Sequence, residues 1–269
     1  MKRAICALVV LSAIPSAWAT AIVNLGTADS FAVLAGSTVT NTGNSTINGD
    51  LGVWPGTAVT GFPPGTLTGG VMHDGDAVAL QAQTDLTTAY NSAAGRSCDS
   101  NRTGQDLGGK TLLSGVYCFD TSAQLTGTLT LDAQGDPNAV FIFQIGSTLT
   151  TASASSVLFT NGGEGDSVFW QVGSSATLGT TTAFQGNILA LASITLNTGA
   201  TIGCGRALAR NGAVTLDTNN VSSDTEGCET TVGVGAVPEP GSAFLFASGG
   251  LLFGLFVLGS RIRVGRRQA

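Results

Sequence analysis

The stretch "SATLGTTTAFQGNILALASITLNTGAT" (residues 175–201) sets Thr177 before Leu178 and, eighteen residues on, Thr195 before Leu196, with no charged side chain between them. Working outward, the same pattern recurs around Leu129 in "TGTLTL", Leu149 in "GSTLTT" and Leu216 in "AVTLDT". The five leucines are spaced by 20, 29, 18 and 20 residues, and the long step contains the loop "NGGEGDS". Self-similarity at about 20 residues predicts a solenoid, one coil per repeat. Side chains alternate along a strand, so an inward leucine turns its neighbours to solvent. The outward set before leucine is then Thr128, Thr148, Thr177, Thr195 and Thr215, and after it Thr130, Thr150, Gly179, Asn197 and Asp217.

A second strand precedes the threonine strand in most coils: "VYCF", "AVFIFQI", "SVFWQV", "GNILA" and "GRALA". Its large apolar residues read as core filling, and the small residues of the later coils predict a tapering interior. A third short segment follows, as in "SSVLFT" and "TTAF", so each coil is expected to have three sides. One segment departs from the β pattern. In "DGDAVALQAQTDLTTAYNSAAGRSC", Val78, Ala82, Leu86, Ala89, Tyr90 and Ala93 keep helical spacing. Asp74 or Asp76 is placed to cap its start and Gly95 its end. A helix over about residues 75–94 is expected, covering apolar core on an open side of the solenoid.

The ends read as addresses rather than fold. "MKRAICALVVLSAIPSAWAT" has two cations, an apolar run and Ala17-Trp18-Ala19, the pattern of an export signal over residues 1–19 removed by signal peptidase. At the other end, residues 243–259 carry no charge, enough to span a membrane, and Arg261, Arg263, Arg266 and Arg267 follow, which holds the C-terminus in the cytoplasm. With Pro238, Glu239 and Pro240 ahead of them, residues 237–269 resemble the PEP-CTERM sorting signal. That resemblance implies processing by an exosortase and a destination at the cell surface or outside the cell.

Residues 20–236 remain as one domain. They hold five cations, Arg96, Arg102, Lys110, Arg206 and Arg210, against sixteen acids, a net charge of −11, which makes nucleic acid and anionic membrane poor partners. Regularly spaced Val, Ile, Leu and Phe argue against disorder despite the 38 glycines of the whole chain. Four cysteines, Cys98, Cys118, Cys204 and Cys228, suit disulfides in an exported chain. Three connectivities are possible; Cys98 with Cys118 and Cys204 with Cys228 is preferred because each pair closes a local loop. With no CxxC and a lone His73, no metal site and no cofactor is expected. Acid pairs such as Asp132 with Asp136 and Glu164 with Asp166 sit in Gly-rich or Pro-containing turns, where turn chemistry explains them better than catalysis. "GCGRALARNG" lacks the Lys-Ser/Thr of a phosphate loop. No enzyme is expected.

The blocks "LGTADSFAVLAGSTVTNTGNSTINGDLGVWPGTAVTGFPPGTLTGG", "ALQAQTDLTTAYNSAAGR", "LGGKTLLSGVYCF", "VFIFQIGSTLTT", "VFWQVGSSATLGT", "GNILALASITLNTGAT" and "GRALARNGAVTLDTN" together resemble the microbial ice-binding-protein family over nearly all of residues 23–221. The resemblance implies a mainly β fold, a right-handed three-faced β-helix with one long α-helix alongside, whose N-terminal strands do not simply form the first coils. It also implies that one flat face binds ice. Members often carry a loose Thr-Ala/Gly-x-Thr/Asn pattern there, which Thr198 to Thr201 ("TGAT") satisfies, while "TASA" at 151 and "TTTA" at 180 fit only in part. Of three possible sides the threonine columns are chosen: Thr128, Thr130, Thr148, Thr150, Thr177, Thr195, Asn197, Thr198, Thr201 and Thr215. Asp217 puts a charge where such a face prefers none. The expected partner is ice or ordered water and the expected state a monomer. The alternative is a surface or matrix protein that uses the same hydroxyl face for extracellular polysaccharide, adhesion or biofilm structure.

Overall fold

In the computed structural model, which describes residues 23–163 and 165–223 apart from the Asp166 side chain, apolar-polar alternation resolves into short parallel strands in three sheets. Each coil contributes one strand to each sheet. In the coil that holds the opening stretch these are Val168–Val172 in sheet A, Ala176–Leu178 in sheet B and Ala183–Phe184 in sheet C. The next coil lays Asn187–Ala190, Ile194–Leu196 and Thr201–Ile202 directly on them. The three-sided solenoid is therefore the observed architecture.

The stacking order is not the chain order. Phe31–Ala35 pairs with Ala207–Ala209, Thr38–Thr42 with Val214–Asp217, and Thr46–Asn48 with Asn220–Ser222, so the N-terminal coils extend the stack beyond the last C-terminal coil. Asp50–Val53, Ala58–Thr60 and Thr66–Thr68 form the next coil out. Arg206 helps to fasten this junction. Its guanidinium, almost wholly buried, donates to the backbone oxygen of Asp29 (2.8 Å), to Asp29 Oδ1 (2.9 Å) and to Asn187 Oδ1 (2.8 Å).

Inside the triangle the sheet-A strands supply the bulk. Tyr117, Phe143 and Trp170 lie opposite one another in register, and Ile188 and Ala207 continue the row, so side-chain size tapers as the sequence predicts. Phe143 and Trp170 stack with ring centroids 3.9 Å apart and planes 8° from parallel. Phe184 closes on Trp170 from sheet C at 4.9 Å. The indole N–H donates to the Gln185 carbonyl (3.0 Å), so the largest buried side chain leaves no polar atom unpaired.

Two expectations are corrected here. The sheet-A strands are not core filling alone. Alternate residues, among them Val116, Ile142, Phe169, Leu189 and Leu208, point outward into a second apolar layer. The helix, Ala77–Ala94, accordingly lies against the outer surface of a complete sheet and does not plug an open side. A parallel sheet buried on both faces reads as a continuous apolar run, which conceals which residues face which way. The helix buries Ala79, Ala82, Leu86, Ala89, Tyr90 and Ala93, while Val78 is exposed. Asp76 caps it, accepting the N–H groups of Val78 (3.0 Å) and Ala79 (2.9 Å).

Cys98 and Cys118 are joined as expected, tying the segment after the helix to sheet A across 20 residues of sequence. Cys204 is buried. Its predicted partner Cys228 lies outside the described residues, as do the predicted leader (1–19), the triplet Pro238, Glu239 and Pro240, and the predicted span 243–259. Among the described residues no helix is long and apolar enough to cross a membrane.

Candidate functional site

Sheet A is covered by the helix, so sheets B and C present the open faces. Sheet B is built from three- to five-residue strands whose ends alternate inward apolar and outward hydroxyl side chains. Register pairs run Thr150 to Thr177, Thr177 to Thr195, Thr195 to Thr215, Thr215 to Thr40 and Thr40 to Thr60. Six threonines on six consecutive coils thus form one straight row, with Gln124 at its end opposite Thr150. A second row runs beside it two residues earlier. There Ser122 and Thr148 share a hydroxyl hydrogen bond (2.8 Å), the N–H of Ser193 donates to Ser175 Oγ, and the N–H of Ala213 donates to Ser193 Oγ.

This row corrects the predicted columns in three ways. Thr128 and Thr130 belong to Thr128–Asp132 on sheet C, opposite Ser156 and Leu158, and not on the threonine face. Thr148 is on sheet B but one outward position from the main row, because Leu149 pairs with Ala176 and not with Leu178. Thr201 lies on sheet C, and Thr198 sits at the corner between sheets B and C, so "TGAT" turns a corner instead of lining one face. The Thr-x-Thr alternation is the same on every side of a triangular coil, and spacing alone does not number the sides.

Thr177, Thr195 and Thr215 share one row as expected, Thr150 joins them from the column expected after leucine because it pairs with Thr177, and Asn197 follows Thr195 at the edge. Thr40 and Thr60 complete the row beyond the five leucine-centred repeats. Their signal was present, as "TVT" at 38–40 and "AVT" at 58–60, but with valine inside in place of leucine. Their membership in the row depends on the out-of-order stacking.

Several features keep the sheet-B face flat and uncharged. The corners leading into it are short and tight. An added Cβ at Gly146 would lie 2.5 Å from the Asp120 carbonyl, and one at Gly173 would lie 2.5 Å from the Gly146 carbonyl. The absence of a side chain there lets successive coils close to sheet spacing. The strands of sheet B carry a single ionisable residue, Asp217, at the corner opposite Thr42. Its carboxylate accepts the hydroxyls of Thr198 and Thr218. Sheet C is less regular. Ala183 interrupts its hydroxyl row, Leu113 and Leu158 are exposed, and the turns after Thr128–Asp132 and Ser156–Thr160 are long.

The acidic turns are self-satisfied. Asp132 accepts the Asn161 side chain (2.9 Å) and the N–H of Gln134 (2.8 Å), which hold its carboxyl below the ordinary value. Asp136 accepts the N–H of Asn138 (2.8 Å). His73 pairs with the helix-capping Asp76 at 2.7 Å. Among the described residues no three His, Cys, Asp or Glu side chains gather in a metal-holding group.

The Ice-binding-like family model matches residues 33–222. An ice-binding protein of Nostoc sp. (strain HG1) is 57% identical over 248 residues, which span 92% of this chain and 90% of that protein. The crystal structure of an ice binding protein from an Antarctic biological consortium shares 47% identity and superposes with a TM-score of 0.73, covering 80% of this chain and 96% of that one. That of an ice-binding protein from the ascomycete Antarctomyces psychrotrophicus shares 44% identity with a TM-score of 0.73, over 76% and 99% of the two chains. A solenoid stacked out of chain order, a helix on one sheet and these likenesses agree: the chain belongs to the ice-binding-like family.

Proposed function

We propose that this protein binds ice through the outward face of sheet B and hinders ice growth and recrystallisation. The observation that carries this reading is the unbroken row of Thr150, Thr177, Thr195, Thr215, Thr40 and Thr60 on a face with one charge at its rim. Neighbouring coils lie ~4.8 Å apart and alternate residues ~6.7 Å apart along a strand, so the rows make a nearly flat two-dimensional grid close to oxygen repeats in ice. Each threonine supplies a hydroxyl that joins the water network and a methyl that orders water beside it. Its β-branch restricts χ1, so the grid is stiff before contact and loses little entropy on binding. A lysine or glutamate there would keep its own hydration shell and spoil the match. The face orders a layer of water, adsorbs to the crystal, and the ice front must curve between bound molecules to advance.

Sites and destination belong to the same proposal. The leader and the PEP-CTERM-like segment support export, transient anchoring and exosortase processing, so that the solenoid works as a monomer at the cell surface or outside the cell. The pairing of Cys204 with Cys228 would staple the last coil. No catalytic step is assigned. The purified protein is expected to arrest recrystallisation in a frozen sucrose film and to shape single crystals. Retention on extracellular polysaccharide with no effect on ice would instead favour the matrix role.

A further inference from the structure

The part of sheet C next to the N-terminal coils carries a second grid. Thr201 lies opposite Asn220, Asn220 opposite Thr46, and Thr46 opposite Thr66. Beside this row, Ser222 lies opposite Asn48 and Asn48 opposite Thr68. Ile202, Val221 and Ile47 fill the alternate positions and are buried, so the polar set faces out. The four strands contain no ionisable residue.

The side chains of this grid are tied across the strands. Asn48 Nδ2 donates to Ser222 Oγ (3.2 Å), Thr66 Oγ1 to Thr46 Oγ1 (3.5 Å) and Thr68 Oγ1 to the Ile47 carbonyl (3.3 Å). The cations of the domain lie elsewhere, and its acids Asp217 and Asp50 stand outside the four strands, at the corners that border them. Lys110 and Arg102 belong to the far end of the stack, Arg206 and Arg210 flank Ala207–Ala209 of sheet A, and Arg96 follows the helix. A solvated β face with no other role has no reason to exclude lysine and glutamate, whereas a face that must match a lattice does.

The corner between this grid and the sheet-B row is pinned coil by coil. Buried Asn219 donates to the carbonyls of Asn197 (2.9 Å) and Ala200 (2.8 Å) and accepts the N–H of Asp217 (2.6 Å), while its own N–H reaches Ser45 Oγ (2.9 Å). One step along the stack, Asn41 Nδ2 donates to the carbonyls of Gly43 (3.0 Å) and Gly61 (2.8 Å). The other end of that amide, Asn41 Oδ1, is buried without a donor among the described residues. The two faces are thus tied to each other at their shared edge.

We propose that the outward face of sheet C over these four coils is a second ice-binding face, so that one molecule engages two crystal planes that meet at the corner. This rests on the reading that sheet B binds ice. The test is plane-by-plane binding of fluorescently labelled protein to a single-crystal ice hemisphere. Four forms are compared: the unsubstituted protein, Asn220→Tyr with Thr66→Tyr, Thr195→Tyr with Thr215→Tyr, and all four changes together. Melting curves establish that each is folded, and Asn220→Lys with Thr66→Lys replaces the first pair if the tyrosines destabilise it.

The unsubstituted protein is expected to decorate two sets of planes, each face variant to lose one set and keep the other, and the combined variant to lose both. A sheet-C variant whose pattern matches the unsubstituted protein overturns the second face and leaves the first standing. So does a sheet-B variant that decorates nothing. A sheet-C variant that loses polysaccharide retention but no ice plane also overturns it. If the unsubstituted protein decorates no plane, the sheet-B reading falls and this inference with it.

Discussion

Replacing Trp170 by alanine probes the interior that keeps the threonine row straight. Trp170 is fully buried, stacks on Phe143 at 3.9 Å, meets Phe184 at 4.9 Å and donates to the Gln185 carbonyl. A tryptophan buries roughly 200 Å², worth about 5 kcal/mol at ~25 cal/mol per Å². Alanine keeps part of that burial, but the two lost ring contacts add roughly 1 kcal/mol each, so the expected loss is about 5 kcal/mol. In a domain of this size 1 kcal/mol moves Tm by roughly 2–4 °C, which gives a fall of roughly 10–20 °C. The assay is calorimetry together with far-UV circular dichroism. Trp54, in the N-terminal coils, remains as a fluorescent reporter of the opposite end of the stack. If the out-of-order coils unfold as one body, its transition coincides with the loss of β signal. A Tm fall below about 5 °C would refute the reasoning that the aromatic stack is the central support of the coil bearing Thr177.

Gly173→Ala would bring a Cβ to 2.5 Å from the Gly146 carbonyl, so the coils must part at the entry to sheet B. A stability loss of about 1–3 kcal/mol is expected by denaturant titration, together with weaker recrystallisation inhibition. Cys98→Ala with Cys118→Ala removes a link spanning 20 residues, and a loss of about 3 kcal/mol is expected from the freed unfolded chain, read from the same titration. Asp76, held down chiefly by the Ala79 N–H and His73, Asp85, held down chiefly by the Thr27 N–H, and Asp132, held down chiefly by the Asn161 side chain, all lie below the ordinary value of 3.8. Such groups stabilise the fold when ionised, so their contribution is complete above that value and is lost as pH falls through their lowered values. A Tm flat from neutral pH down to about 4.5 and falling below about 3.8 is expected in a pH series.

Much of this molecule was legible from alternation alone. The Leu-centred repeat marked strands, its period marked coils, and the break into helical spacing with Asp76 ahead marked the one helix. The row through Thr177, Thr195 and Thr215 could be read because these three coils are 18 and 20 residues apart, with no insertion between them. The coils before them are not aligned by spacing, because a 26-residue step separates Ser122 from Thr148 and the added length lies in turns whose positions alternation does not mark. Thr128 and Thr130, on sheet C, carry the same local pattern as the threonine row, because leucine in and threonine out describes sheet C as well as sheet B. Sheet A concealed its second apolar layer because Ile142 and Phe143, adjacent in sequence and both buried, face opposite sides of the same strand. Thr40 and Thr60 join the row only through pairing with a strand some 175 residues later, as in the Thr40 to Thr215 register pair, and nothing local encodes such a contact.

The most direct measurement is thermal hysteresis of the Thr195→Tyr, Thr215→Tyr protein beside a control in which Thr84 and Thr88, exposed on the helix, are both changed to tyrosine. If sheet B is the principal face, the first pair loses most of the freezing-point gap while the helix pair keeps the unsubstituted value. Equal activity in the two variants, with both folded and the unsubstituted protein active, would contradict the assignment of ice binding to the threonine row.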